Sequence, residues 1–239
     1  KSSVFVDDIF STYLWTGNAT ARSFNNGIDN TKGGLVWMKS RSNGLDNYLF
    51  DTERGVEKYL WSNTNAAEVT ASSGDTLTAF NNNGFSIGNT TVVNNNNSTF
   101  AGWNFRRAKG FFTCLTFTGN GSNRTISHDL GCKPGFMLIK KTDGSDDWQV
   151  WHRDLLDNTK FLILNDIWSQ SGDAALWNST APTSTEFSLG SGKTNDNTKE
   201  YICYLFAGGE SDAATARSVD FDGSDDILQT STSTDYELG

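Results

Sequence analysis

"FTCLTFTGN" (residues 112–120) is the second appearance of a pattern already present at residues 10–18, "FSTYLWTGN". Both stretches run through aromatic and β-branched residues and end in Thr-Gly-Asn, a strand followed by a turn signal. Gly119 lies 102 residues after Gly17. Working outward, "GLVWMK" (34–39) returns as "GFMLIK" (135–140) and "KYLWSN" (58–63) as "KFLILN" (160–165). Likewise "GFSIG" (84–88) returns as "EFSLG" (186–190) and "FAGWNF" (100–105) as "YICYLF" (201–206), every offset being 101 or 102. Five ordered matches at a constant spacing mean an internal duplication. The reading divides the chain into a first β-sandwich repeat at 1–109, a second at 110–209, and a linker with the start of a further region at 210–239.

Each copy reads as short strands. In the first they fall at 10–16, 22–24, 35–39, 47–51, 59–61, 85–87 and 101–105; in the second at 112–118, 124–126, 136–140, 148–152, 161–164, 187–189 and 202–206. The runs at 35–39 and 136–140 are continuously apolar up to a closing lysine, as expected of strands covered on both faces. Ala101, Trp103 and Phe105 alternate with their neighbours, as do Ile202, Tyr204 and Phe206, so one face of each last strand is expected in a core. Helical periodicity is weak, with single turns expected at 66–69 and 166–171. Short strands separated by turn residues give an all-β chain of two tandem jelly-roll-like sandwiches. The palette agrees: 23 glycines, 2 prolines and 13% aromatic residues.

Charge narrows the partners. The formal net charge is −9, from 28 acidic and 19 basic residues. Binding to nucleic acid is therefore not expected. The one basic run, Arg106-Arg107-Ala108-Lys109, reads as a solvated linker. No stretch has the length and apolarity of a membrane-spanning helix, and no membrane insertion is expected. The chain begins at Lys1 rather than Met, which suggests a piece of a longer protein.

Candidate chemistry is sparse. Gly192-Lys193-Thr194 resembles the end of a phosphate-binding loop, but Phe187 stands where its first glycine belongs. The stretch is expected to be a connecting loop with Lys193 solvated. Cys114 and Cys203 sit in apolar strand patterns and read as small core residues, and no metal spacing accompanies Cys132. His128 and His152 lack ligand partners at metal spacing. His152 corresponds to Asp51 of the first copy, and a polar residue at a strand end explains both. The acidic pairs, such as Asp146-Asp147, read as solvated turns, although two carboxylates across a cleft would suit glycoside hydrolysis. "DFDGSDD" (220–226) offers oxygen ligands for calcium but departs from the EF-hand pattern. No catalytic residue, cofactor or metal site is assigned.

Of the eight tryptophans, Trp15, Trp37, Trp61, Trp103 and Trp151 have apolar counterparts in the other copy and are expected in the core. Trp148, Trp168 and Trp177 have none. A ring with one wet face stacks on sugars, so these three are the candidates for contact with a glycan or a protein partner.

The motifs "DDIFSTYLWTGN" (7–18), "GGLVWMKSR" (33–41), "LFDTERGVEKYLWSNTNAAE" (49–68), "LTAFNNNGFSIG" (77–88) and "GWNFRRAKGFFTCLTFTGNG" (102–121) occur together in order. They resemble a repeated module in structural proteins of tailed phages of marine bacteria, cyanophages included. "PGFMLIKKT" (134–142), "VWHRDL" (150–155), "APTSTEFSLG" (181–190) and "YLFAGG" (204–209) look like its second copy. "SVDFDGSDDIL" (218–228) is similar to the opening of a laminin-G/concanavalin-like lectin domain. The resemblance implies a non-enzymatic virion structural protein, in a tail fibre or another exterior appendage that serves host adsorption. It implies other virion proteins as partners and a homotrimeric assembly. A carbohydrate-binding module touching host surface glycans is the alternative, and a glycan-degrading enzyme is a third reading.

Overall fold

The structure, a computed structural model, describes residues 5–209. The first half contains β1 (Phe10–Thr16), β2 (Arg22–Phe24), β3 (Gly34–Ser40), β4 (Asn47–Asp51), β5 (Lys58–Trp61), β6 (Val69–Thr70), β7 (Leu77–Asn81), β8 (Gly84–Ile87), a single helical turn α1 (Thr91–Asn94) and β9 (Thr99–Arg106). The second contains β10 (Phe112–Thr118), β11 (Arg124–Ser127), β12 (Pro134–Lys141), β13 (Gln149–His152), β14 (Lys160–Ile163), β15 (Ser171–Gly172), the turn α2 (Ala174–Trp177), β16 (Glu186–Leu189) and β17 (Glu200–Ala207). The protein is all-β and sandwich-like.

The duplication is visible in the topology. One antiparallel sheet runs β1-β9-β3-β4-β5-β6, and the other runs β10-β17-β12-β13-β14-β15. Each is backed by a smaller sheet, β2-β8-β7 in the first half and β11-β16 in the second. The counterpart of β7 is missing in the second half, where Pro182 stands at the position of Phe80.

Both faces of each large sheet are covered, which is why β3 and β12 are apolar on both sides. Val36, Met38, Phe50 and Trp15 face the first small sheet, through Phe24, Phe85 and Ile87. Met137, Ile139, Trp151 and Cys203 face the second, through Ile126, Phe187 and Leu189. The remaining faces meet each other: Leu35, Leu49 and Leu60 of the first half pack in one buried cluster with Phe112, Cys114, Leu138, Val150, Ile202 and Tyr204 of the second. Four layers result, and the apolar seam cluster between the halves is buried like the cores flanking it. Residues through Gly208 form one compact unit.

The repeated glycines mark places where two backbones touch. A Cβ on Gly17 would lie 2.0 Å from Asn95 O, and one on Gly119 would lie 2.1 Å from Asp196 O. At these positions glycine is required by the approach itself. Beside them sit two buried asparagines. Asn94 donates to Thr20 O and Gly88 O and accepts from the Asn18 N–H. Asn195 donates to Ser122 O and Gly190 O and accepts from the Asn120 N–H. Each asparagine ties the turn after the first strand to the end of the small sheet.

Two expectations are corrected. Residues 66–69 and 166–171 form no helical turns, because Val69–Thr70 and Ser171–Gly172 pair as short edge strands with β5 and β14. The Arg106–Lys109 run is no free linker: Arg107 bonds Glu53 of the first half at 3.0 Å and Asp129 of the second at 3.1 Å. The calcium-like loop 220–226 and the lectin-like stretch 218–228 lie outside the described residues.

Candidate functional site

Most reactive side chains are occupied with structure. Asp51, buried at the end of β4, accepts from Arg54 Nε at 2.5 Å and from the Tyr204 hydroxyl at 2.7 Å. Arg54 also reaches Glu68 Oε2 at 3.3 Å and Leu49 O at 2.9 Å. Burial alone would lower the Arg54 pKa, but Asp51, Tyr204 and Glu68 outweigh it and raise it further, so the guanidinium stays charged. Burial pushes the Tyr204 hydroxyl well above its ordinary value, which keeps it a donor. Cys114 and Cys203 are fully buried thiols whose pKa values burial raises. His128 has its pKa lowered by burial and its Nδ1 accepts from the Leu130 N–H. His152 lies at the half-exposed end of β13 beside Asp154. Among the described residues no group of three His, Cys, Asp or Glu is gathered where a metal ion would be held.

Gly192-Lys193-Thr194 is a loop between β16 and β17 rather than the start of a helix. Thr194 is buried with its hydroxyl on Leu176 O, and Lys193 extends toward Asp146 at 3.6 Å.

The three candidate tryptophans separate. Trp148 is fully buried in the seam, stacked at 6.0 Å on Tyr204, with its Nε1 donating to Trp61 O at 2.8 Å. Trp177 is buried in the second core, with Nε1 on Lys160 O at 3.1 Å. Neither ring has a free face, so both are corrected from surface contacts to internal packing. Trp168 is 67% exposed and follows Ile167, which is 99% exposed.

Trp168 stands at a cleft of about 240 Å³ on the outer face of the second half. Phe161 and Ile163 of β14 and Leu176 of α2 supply its apolar wall. Asp147, Asp166 and Asp173 supply carboxylates, and Lys193 supplies one cation. Each of these carboxylates has one oxygen committed locally: to Asn165 Nδ2, to the Ile167 N–H and to the Ala175 N–H respectively. Gln149 also lines the cleft. It is 3% exposed, its Nε2 donates to Asp147 O, and its Oε1 has no hydrogen-bond partner among the described residues. A buried acceptor left in that state costs about 1–3 kcal/mol.

In the first half the matching place is filled by aromatic rings. Tyr48 stands at the position of Gln149, Tyr59 at that of Phe161 and Trp61 at that of Ile163. Their three rings pack on one another with centroids 5.2–6.1 Å apart. Ala66 takes the place of Trp168. The second copy therefore lacks that filling and carries an exposed ring instead.

A larger open cleft of about 460 Å³ lies along the seam, between Glu53, Arg54, Lys58, Glu68, Thr116 and Glu200. Its basic groups are neutralised from within, Arg54 by Asp51 and Glu68 and Lys58 by Glu68. The Trp168 cleft is the better candidate.

Residues 6–213 match a family described as a domain of unknown function, DUF7483. The chain belongs to this family. The DUF7483 match takes in both halves, so the double module and its seam together correspond to the family's unit. No curated protein and no solved structure is detectably similar to the chain. Within the DUF7483 unit, residue patterns alone pointed to Trp168 but missed Gln149. The available signal was a polar residue inside the apolar run "WQVW", at a strand position that faces a core.

Proposed function

We propose that the protein is a non-enzymatic structural component of a phage virion, in a tail fibre or other exterior appendage that takes part in host adsorption. The ordered motifs that resemble tailed-phage structural modules support this reading. The observation that carries it is the seam: the two copies are locked face to face by a shared apolar core and by the Asp51–Arg54–Tyr204 network. Arg54, Asp51, Cys114 and Cys203 are consumed in holding that shape. A rigid double module is what a load-bearing appendage requires, and other virion proteins, with a homotrimeric assembly, are its partners. Gold-labelled antibody raised against the chain is expected to decorate an exterior appendage of intact particles. Particles that carry no label anywhere, or a purified chain that releases reducing sugar from host glycans, would overturn the reading.

A second reading is favoured by one observation, the exposed Trp168 beside the acceptor-lined cleft. In this reading the module contacts host surface glycans directly. A glycan array probed with the purified chain is expected to show binding, and a blank array removes this reading while leaving the structural one intact.

A further inference from the structure

We infer that the Trp168 cleft binds a single neutral sugar ring, with Trp168 as the stacking platform and the carboxylates of Asp147, Asp166 and Asp173 as acceptors for ring hydroxyls. The inference rests on the second reading above and specifies its site and ligand class. The lining sets three carboxylates against one cation, Lys193, so the ligand must bring several donors. The wall of Phe161, Ile163 and Leu176, with the exposed face of Trp168, calls for an apolar face on the same ligand. A pyranose has both, hydroxyls around its rim and C–H groups on its flat sides. An alkylammonium ion offers donors at one end only and leaves the other acceptors unmet. An anionic sugar would meet Asp147, Asp166 and Asp173 with like charge, which the single Lys193, drawn toward Asp146 at 3.6 Å, does not offset. The size agrees: about 240 Å³ is below the range of about 300–1,000 Å³ typical of pockets for drug-sized ligands. The first half is an internal control, its matching space being closed by Tyr48, Tyr59 and Trp61.

The test uses the whole chain and the methyl glycosides of glucose, galactose and N-acetylglucosamine, followed by ligand-observed NMR. At least one glycoside is expected to bind with a Kd on the order of a millimolar. Trp168→Ala is expected to weaken it about tenfold through loss of the stacking face. Asp166→Asn is expected to weaken it about fivefold without lowering Tm, since the amide keeps one oxygen for the Ile167 N–H and gives up the second acceptor. Ile163→Trp, which restores the first half's ring, is expected to abolish binding. Leu156→Ala, a distant exposed residue, is expected to change nothing. Binding of trimethylammonium in place of the glycosides overturns the inference, as does glycoside binding that ignores the Trp168, Asp166 and Ile163 variants. If the glycan array lights up while those variants bind it normally, the cleft assignment falls and the glycan-contact reading stands. If array and glycosides are both blank, both fall.

Discussion

The hydroxyl of Tyr204 donates to Asp51 Oδ2 at 2.7 Å across the seam, joining residues 153 apart in sequence. Both groups are fully buried. The bond is therefore made inside an otherwise apolar cluster, where a missing partner is expensive. Tyr204→Phe is expected to destabilise the chain by about 1.5–3 kcal/mol, the range for a hydrogen bond to a charged group. Asp51→Ala leaves Arg54 charged and buried, and is expected to cost about 3–5 kcal/mol. Urea titrations followed by far-UV circular dichroism measure both. Equal losses for the two variants would mean that Arg54 contributes nothing to the network.

Trp148 supplies the largest ring to the same seam. Trp148→Ala is expected to lose about 3–5 kcal/mol, the usual range for emptying a buried indole site. Trp148→Phe keeps most of the volume and gives up the bond to Trp61 O, so a loss nearer 1 kcal/mol is expected. Thermal unfolding of the two variants under one buffer separates packing from hydrogen bonding.

The buried asparagines should behave as a matched pair. Asn195→Ala removes the partners of Gly190 O, Ser122 O and the Asn120 N–H; Asn94→Ala removes those of Gly88 O, Thr20 O and the Asn18 N–H. Each is expected to destabilise by about 3 kcal/mol. Asn195→Asp is expected to be no better, because a carboxylate offers those carbonyls no donors. Denaturant midpoints that differ widely between Asn94→Ala and Asn195→Ala would show that the two sites are not equivalent.

Lys140 gives the chain an alkaline signature. Its side chain is buried, and its Nζ donates to Lys141 O at 2.7 Å. Burial lowers its pKa from 10.5 to about 8. Between those values the unfolded chain holds more protons than the folded one, so this lysine's contribution to stability rises with pH. Cys114 and Cys203 act in the opposite sense, since burial raises their thiols and stability falls once the unfolded thiols ionise. Subtracting Lys140→Met from the parent isolates the lysine. That difference is expected to move in the parent's favour by on the order of 2–3 kcal/mol between pH 8 and 10.5. A flat difference would mean that the ammonium is solvated in the folded chain.

Residues 1–109, expressed alone, would expose Leu35, Leu49, Leu60 and Phe105 to water. Sedimentation is expected to show self-association, whereas the whole chain carries its own cover for that face. A monomeric, fully folded fragment would show that the seam is dispensable.

The strands were legible because their alternation is. Ile202, Tyr204 and Phe206 fall on the seam side, and Tyr201, Cys203 and Leu205 on the other. What alternation cannot reveal is which apolar face meets which, because Leu35 and Val36 read alike and serve different cores. Trp148 lacks a counterpart in the first half, yet it is internal. The two seam faces are no longer copies, and one fills a hollow in the other. Asp51 read as an ordinary polar strand end for the same reason, its partner Tyr204 being supplied from the far half of the chain. Trp168 was legible as an unmatched ring, whereas Gln149 takes its meaning from the empty space beside it.

The face-to-face seam also sets a limit on growth. In solenoids every unit keeps one surface free for the next, and the stack lengthens indefinitely. Here each large sheet has spent that surface on its twin and covered the other with its own small sheet. A third copy would find nowhere to dock by the same contact, so the pair is closed. Anything longer built from this unit must be joined through its ends or edges, not by adding layers.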